Sequence, residues 1–394
     1  MSRILIYLFP ALIDLAIAST AFVCSVRGAE MGWAPSQIAG LFAVWAVAYM
    51  FVCQLVARVV TPKNAPRLLM MSCMLLAALS LGYVVFPSPK SMYYLMAVQA
   101  LGTGFFFAPF QVFMKSVNQA ADKSVAYSAG LFLFAWSAGF AVGPFVAGFL
   151  WKHTNWQACH ILNLCVEVAT AVGVYYLRHH VDQPVARAPG RNTAAGEPLD
   201  YSRMPDLAWL GWLCGGVSLV AFALFRSLFP SSGAYYMLTK PEQGTVFFAA
   251  SIAQAAMGLL LCRSRSWMYR PVPVIAFGLF GVLGLALLSR AGTAWAFGIA
   301  ASCQGVYLGA FFFYLTFHSL IHPTKSARYV SINESIVGAA NIAGALIGGQ
   351  IADAFGMPAA YLAGAGVVLV GVVVQGVVHL RHRALVRELG KGHP

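Results

Sequence analysis

The chain has 394 residues, of which 60% are hydrophobic and only 9% charged; an ordinary soluble domain carries about 25% charged residues. That composition leaves too little polar surface to face water and excludes a soluble globular protein or soluble enzyme. The formal net charge of +13 would suit a nucleic-acid partner. The basic residues, however, sit in short stretches between apolar runs, so membrane topology accounts for them and no nucleic acid is expected.

The apolar runs are continuous and around 20 residues or longer, the length of a helix crossing a hydrocarbon core of ~30 Å. Inside lipid a helix satisfies its own backbone, whereas barrel strands would be short and alternating. The expected class is an all-α integral membrane protein of twelve spans in two six-helix bundles. The eight cysteines lie singly within spans and no CxxC pair occurs, so neither a metal site nor a disulfide framework is indicated. No cofactor is expected.

The first span is predicted over 4–30. Arg3 and the Ala16-Ile17-Ala18 triplet mimic a cleaved leader, but Asp14 would interrupt its apolar region and the run continues to Val26. A charge at mid-span costs ~2.5–3.5 kcal/mol on insertion scales and is a functional candidate by default. Asp14 shares its helix face with small or polar residues, among them Ala18, Ala21 and Ser25, which suits a proton carrier or cation partner facing a cavity; a structural hydrogen-bonding acid is the alternative.

Further spans follow at 36–60, 67–86, 91–115, 124–151 and 156–178. The fourth carries Gln99, a Phe cluster around Phe106 that could line an aromatic cavity or simply pack, and Lys115 at its end. On the sixth, His160, Asn163, Glu167 and Thr170 share one face; a helix-packing network or a proton-exchanging carboxyl at Glu167 are both open. Residues 179–206 are rich in Pro, Arg, Ala and Gly and read as a linker. It divides the chain into an N-terminal bundle, 1–178, and a C-terminal bundle with a short tail, 207–394.

The second set of spans is predicted at 207–237, 243–263, 271–290, 294–320, 327–352 and 357–380. Arg226 falls in the outer half of the seventh, before Pro230-Ser231-Ser232-Gly233, which is expected to unwind the helix. An arginine beside a broken helix can hold an anionic substrate group through its planar fork; snorkelling to the interface is the alternative. The tenth carries Gln304 and Phe311, and the eleventh carries Glu334.

Of the 25 Lys and Arg, only Arg27, Lys90, Lys152, Arg226, Lys240 and Arg290 fall outside or in the outer half when both termini are cytoplasmic, leaving 25 − 6 = 19 inside. That bias sets the orientation. The halves also repeat. Sliding 99–148 by 205 positions onto 304–353 pairs Gln99 with Gln304, Phe106-Phe107 with Phe311-Phe312, Lys123 with Arg328, Gly139 with Gly344 and Gly143 with Gly348. Parallel halves of this kind hold substrate between them near the midplane.

The fifth span carries Gly130, Gly139, Gly143-Pro144 and Ala147-Gly148. Small residues four apart let helices approach closely, here expectedly against the other half with a bend at Pro144. With the repeat, the basic linker and the loop positions, this string resembles the major facilitator superfamily, and within it the fifth-helix motif of the drug:proton exporters. The resemblance spans essentially the whole chain. The segment Cys53–Arg67 keeps the basic residues of the family's loop but lacks its Asp and Gly, and Val98 stands where proton antiporters carry an Arg. The resemblance implies a monomeric plasma-membrane (inner-membrane) carrier of a small molecule, working with protons and directed to efflux. It also implies that the fourth and eleventh helices face each other, so that Lys115 and Glu334 could form an inner gate; an interfacial Glu334 pairing locally with Arg328 or Lys325 is the alternative. A proton symporter importing an organic acid or sugar is the rival reading; a membrane enzyme or non-transporting sensor is more distant. No GxxxxGK[ST] loop for ATP is present.

Overall fold

A computed structural model describes residues 3–61, 63–119, 125–177, 206–263, 267, 270–320 and 326–390. The predicted linker, apart from Asp206, lies outside them, as do Lys123 and the side chains of Lys115 and Arg328. A 3₁₀ turn at Arg3–Tyr7 leads into α1 (Leu8–Glu30), α2 (Pro35–Val59), α3 (Ala65–Val85), α4 (Pro89–Gln119), α5 (Val125–His153) and α6 (Trp156–Leu177). After the linker come α7 (Ala208–Tyr235), α8 (Lys240–Arg263), α9 (Pro271–Leu288), α10 (Ala294–Leu320), α11 (Ser326–Phe355) and α12 (Met357–Gly390). All twelve are long and apolar enough to cross a membrane. Large apolar side chains such as Phe51, Leu55, Tyr176, Val370 and Val373 stand on the outer surface, where lipid rather than water is the matching solvent.

The short connections are set by local chemistry. Pro35 opens α2 while the Ala34 N–H donates to Gln37 Oε1 at 2.9 Å, filling one of the orphan positions of a helix start. The Thr239 N–H donates to Glu242 Oε2 at 2.7 Å before α8. Gly32 and Gly356 take positive φ in the turns after α1 and α11, a conformation that costs glycine little. One expectation is corrected. Helix α7 runs unbroken through Pro230 to Tyr235, because the Pro230 ring removes one backbone bond only and its neighbours stay packed: Ser232 donates to the Leu228 carbonyl at 3.4 Å and Gly233 lies against Gln243. Helix α12 continues past the apolar run to Gly390, since its polar extension consists of good helix formers.

Before the linker, α1 packs on α5 and α6, α2 on α4, and α3 on α4 and α6; after it, α7 packs on α10, α11 and α12, α8 on α10, and α9 on α10 and α12. The two most extensive contacts across the halves are α5 with α8 and α2 with α11; α1 and α2 also touch α7, and α5 touches α10. The sequence repeat is kept in these contacts. A Cβ on Gly139 or Gly143 would strike the α1 backbone at Ala11 and Leu15, and one on Gly344 would strike α7 at Val220. Residues 139 and 344 differ by 205, as do 15 and 220. Glycine lets helix axes come this close because no side chain stands between the backbones.

Candidate transport cavity and gates

Helix α5 is a wedge. Its Gly139 and Gly143 seat on α1, in its own half, rather than across the halves as the sequence suggested. Its remaining glycines make the cross-half seam. Gly148 meets the Lys240 backbone and Gly130 meets Cys262, while Gly244 of α8 abuts the Pro144 carbonyl. Pro144 lies inside a continuous α5 and cannot donate to the Phe140 carbonyl one turn back. The second seam runs from Gly349 against Ser36 and Ala39 to Gly338 against Met50.

Between the seams is a cavity of about 20 Å³, room for a water or two. Ala18, Ala21, Phe22 and Ser25 of α1 line it with Phe42 of α2, Phe140 and Pro144 of α5, Phe222 and Arg226 of α7, and Phe247 and Ser251 of α8. The walls are therefore aromatic with one cation. Arg226 Nη2 donates to Asn341 Oδ1 at 3.3 Å, and its Cζ stands 4.8 Å from the Phe42 ring centre and 5.9 Å from that of Phe140. Asn341 is held in that orientation because its Nδ2 donates to the Val337 carbonyl at 2.7 Å. Arg226 Nε is buried without a hydrogen-bond partner, and no described carboxylate pairs with the guanidinium. The residue reaches across to the N-terminal half instead of snorkelling.

Asp14 is buried one turn from Ala18 on the stripe that continues through Ala21 and Ser25. Its Oδ2 has no hydrogen-bond partner among the described residues. It does not itself line the cavity and lies one turn from Ala18 toward the N-terminal end of α1.

The two ends are closed by different contacts. At the linker end Glu334 of α11 accepts from Tyr49 Oη of α2 at 3.1 Å and from Gln111 Nε2 of α4 at 3.2 Å. Gln54 Nε2 donates to Ser335 Oγ beside them at 2.9 Å. Glu334 thus does bridge the halves, through a phenol and an amide; the Lys115 side chain, one turn beyond Gln111, lies outside the described residues. At the far end Lys240 pairs with Glu30 and lies over the Trp151 ring, 4.8 Å from its centre. The Ser36 N–H donates there to Asp353 Oδ1 at 3.3 Å.

Five predicted site residues are elsewhere. Gln99 accepts from Tyr83 Oη at 3.2 Å, and Gln304 Nε2 donates to the Gly281 carbonyl at 2.7 Å; each ties neighbouring helices within its own half. Phe106 stacks on Phe110 and meets Phe107 edge-on in the N-terminal core, and Phe311 meets Tyr307 and Tyr314 edge-on in the C-terminal one. Glu167 accepts from Ser80 Oγ at 2.8 Å, part of a polar face on α6 in which Asn163 donates to Thr20 and His160 stacks on Tyr83. This is helix packing inside one bundle. Sequence reasoning missed Asn341, Tyr49 and Gln111 as partners and Phe42 and Phe140 as walls. Asn341 had a usable signal, a polar side chain in mid-span; the aromatics had none, since rings facing lipid look alike in sequence.

The sequence profile described as Major Facilitator Superfamily matches residues 4–321, most of the chain. The chain belongs to the Major Facilitator Superfamily. It is therefore a multi-pass membrane transporter. Crystal structures of the nucleoside transporter NupG are similar in fold. One aligns with TM-score 0.67 at 12% identity over 96% of this chain and 99% of that one. A second, of a point mutant of the same transporter, aligns with TM-score 0.66 at 12% identity over 95% and 99%. At that identity the likeness concerns the fold alone. No curated protein matches the sequence significantly.

Proposed function

We propose that this transporter moves a small organic molecule by alternating access coupled to protons, as a monomer, with the linker end and both termini in the cytoplasm of a plasma or inner membrane. The observation that carries the reading is a central cavity between two cross-half seams, with one set of contacts at Glu334 and another at Lys240 and Asp353. Gates that can break separately are what alternating access requires. Asp14, buried one helical turn from the lining residue Ala18, is the proposed proton carrier.

The Gly130–Gly148 string of α5 supports export in exchange for protons, by its resemblance to the drug:proton exporters. The second reading is cotransport of an organic acid with a proton, favoured by an Arg226 that no described acid neutralises. The test is a substrate screen in proteoliposomes with an imposed pH gradient, run in both directions and including nucleosides. Accumulation against the solute gradient, driven by pH, supports the reading. Solute flux equal in the presence and absence of the gradient removes proton coupling.

A further inference from the structure

We infer that the cavity, which holds only about 20 Å³ with both ends closed and widens when one end opens, takes a small organic monoanion with an apolar body, held on Arg226, and that this anion travels in the same direction as a proton held on Asp14. The inference rests on the transport reading, sharpens its second form, cotransport, and stands against exchange.

The anion follows from the walls. An arginine in an enclosed, mostly aromatic cavity demands a counter-charge, because an uncompensated charge away from water is strongly disfavoured. The described residues offer Arg226 only an amide oxygen, Asn341 Oδ1, and the faces of Phe42 and Phe140. These leave Nε without a partner and open to a ligand. A carboxylate or sulfonate matches the fork's geometry. Phe22, Phe222 and Phe247 supply further apolar wall for the body of the ligand. A cationic ligand would meet Arg226 as a like charge, and a neutral one would leave the cation unpaired.

The direction follows from charge balance. The titratable or charged side chains described on the elements packed against α1 are mostly committed elsewhere. On α6, Glu167 is bonded to Ser80 and His160 stacks on Tyr83. On α2, Tyr49 is bonded to Glu334. On α4 and α5, Lys90, Lys152 and His153 lie at the far end. On α7, Arg226 alone reaches the cavity. Arg226 in the cavity wall and Asp14, buried one turn along α1 from the lining residue Ala18, then set the charge that the cavity region carries. Empty, guanidinium and carboxylate sum to zero. Loaded, the anion neutralises Arg226, and Asp14 must take a proton for the sum to stay zero. Exchange of the anion against a proton would require the cavity to cross once with a net negative charge and once with a net positive one. Cotransport avoids both, whichever way the gradients drive it, so export of an organic acid is served as well as import.

The test uses the purified full-length chain and matched probes: benzoate and benzenesulfonate, neutral benzamide, and cationic benzylamine. The expected result is thermal stabilisation by the anions alone, with apparent affinity falling at least tenfold in Arg226→Ala and measurably in Arg226→Lys. Asn341→Leu, which keeps the cation but loosens it, provides a second variant should Arg226→Ala fold poorly. In liposomes radiolabelled benzenesulfonate, which cannot cross as a neutral acid, should enter together with protons reported by an internal dye, at a rate indifferent to a clamped membrane potential. Asp14→Asn should bind the sulfonate without the proton signal. Stabilisation by benzamide or benzylamine as strong as by the anions, no stabilisation by either anion, or unchanged affinity in Arg226→Ala overturns the anion site. Alkalinisation of the lumen during uptake overturns cotransport. Binding without any flux in liposomes sinks the transport reading while the anion site stands.

Discussion

Replacing Gly143 by alanine tests whether the close approach of α5 to α1 is what shapes the cavity. The added Cβ would lie 3.0 Å from Ser19 N and 3.2 Å from Ala18 Cβ, and closer still to the Leu15 carbonyl. Carbon contacts settle at about 3.5–4.0 Å, so α1 must retreat by roughly 0.5–1 Å. Neither helix can yield by turning a rotamer, because the atoms struck are mostly backbone. Overpacking of this kind costs about 1–3 kcal/mol, against which alanine regains at most about 1 kcal/mol of helix propensity over glycine. The net loss expected is up to about 2 kcal/mol, or a few degrees in thermal midpoint. Transport should fall further than stability, since Asp14, Ala18 and Ala21 ride on the displaced helix. The comparison is Gly298→Ala on α10, where a Cβ meets nothing within 4 Å and propensity alone should leave the protein equal or slightly more stable. Thermal unfolding in detergent and solute counterflow in liposomes measure the two effects. Identical midpoints and fluxes for the two variants would refute the claim that close packing is the motif's purpose.

Gly143→Leu should abolish counterflow while membrane insertion, read by surface labelling and yield, is retained. Asp14→Asn keeps size and hydrogen bonding but cannot ionise, so uphill transport on a pH gradient should vanish while counterflow survives; persistent uphill transport would move the coupling acid elsewhere. Glu334→Gln and Tyr49→Phe each weaken the linker-end contact, and labelling of a cysteine at Gln54 should rise in both variants; unchanged labelling would show that the halves are held there by other contacts. Single cysteines at Gly190 and Lys391 should resist an impermeant reagent applied to intact cells, and ready reaction of either would invert the proposed orientation.

Much of the architecture was legible before any coordinates. Twelve spans follow from the length of apolar runs, because lipid demands self-satisfied helices and leaves one solution. The 205-residue repeat named the glycine pairs that the structure then placed equivalently, Gly139 on α1 and Gly344 on α7. Asp14 and Arg226 stood out because a charge in a span needs a reason. Sequence could not say which face of each helix meets which neighbour, since every face of a membrane helix is apolar and periodicity loses its force. Hence Gln99, Gln304, Phe106 and Phe311, equivalent by repeat and plausible by type, prove to be packing inside each half. Phe42, Phe140 and Asn341, from three different helices, were brought to Arg226 only by tertiary packing. The same holds for Glu334: its position on α11 was readable, but its donors, Tyr49 and Gln111, lie 285 and 223 residues away along the chain. Composition and the length of apolar runs determine that a helix forms and spans; the company a side chain keeps depends on how small residues let two backbones meet.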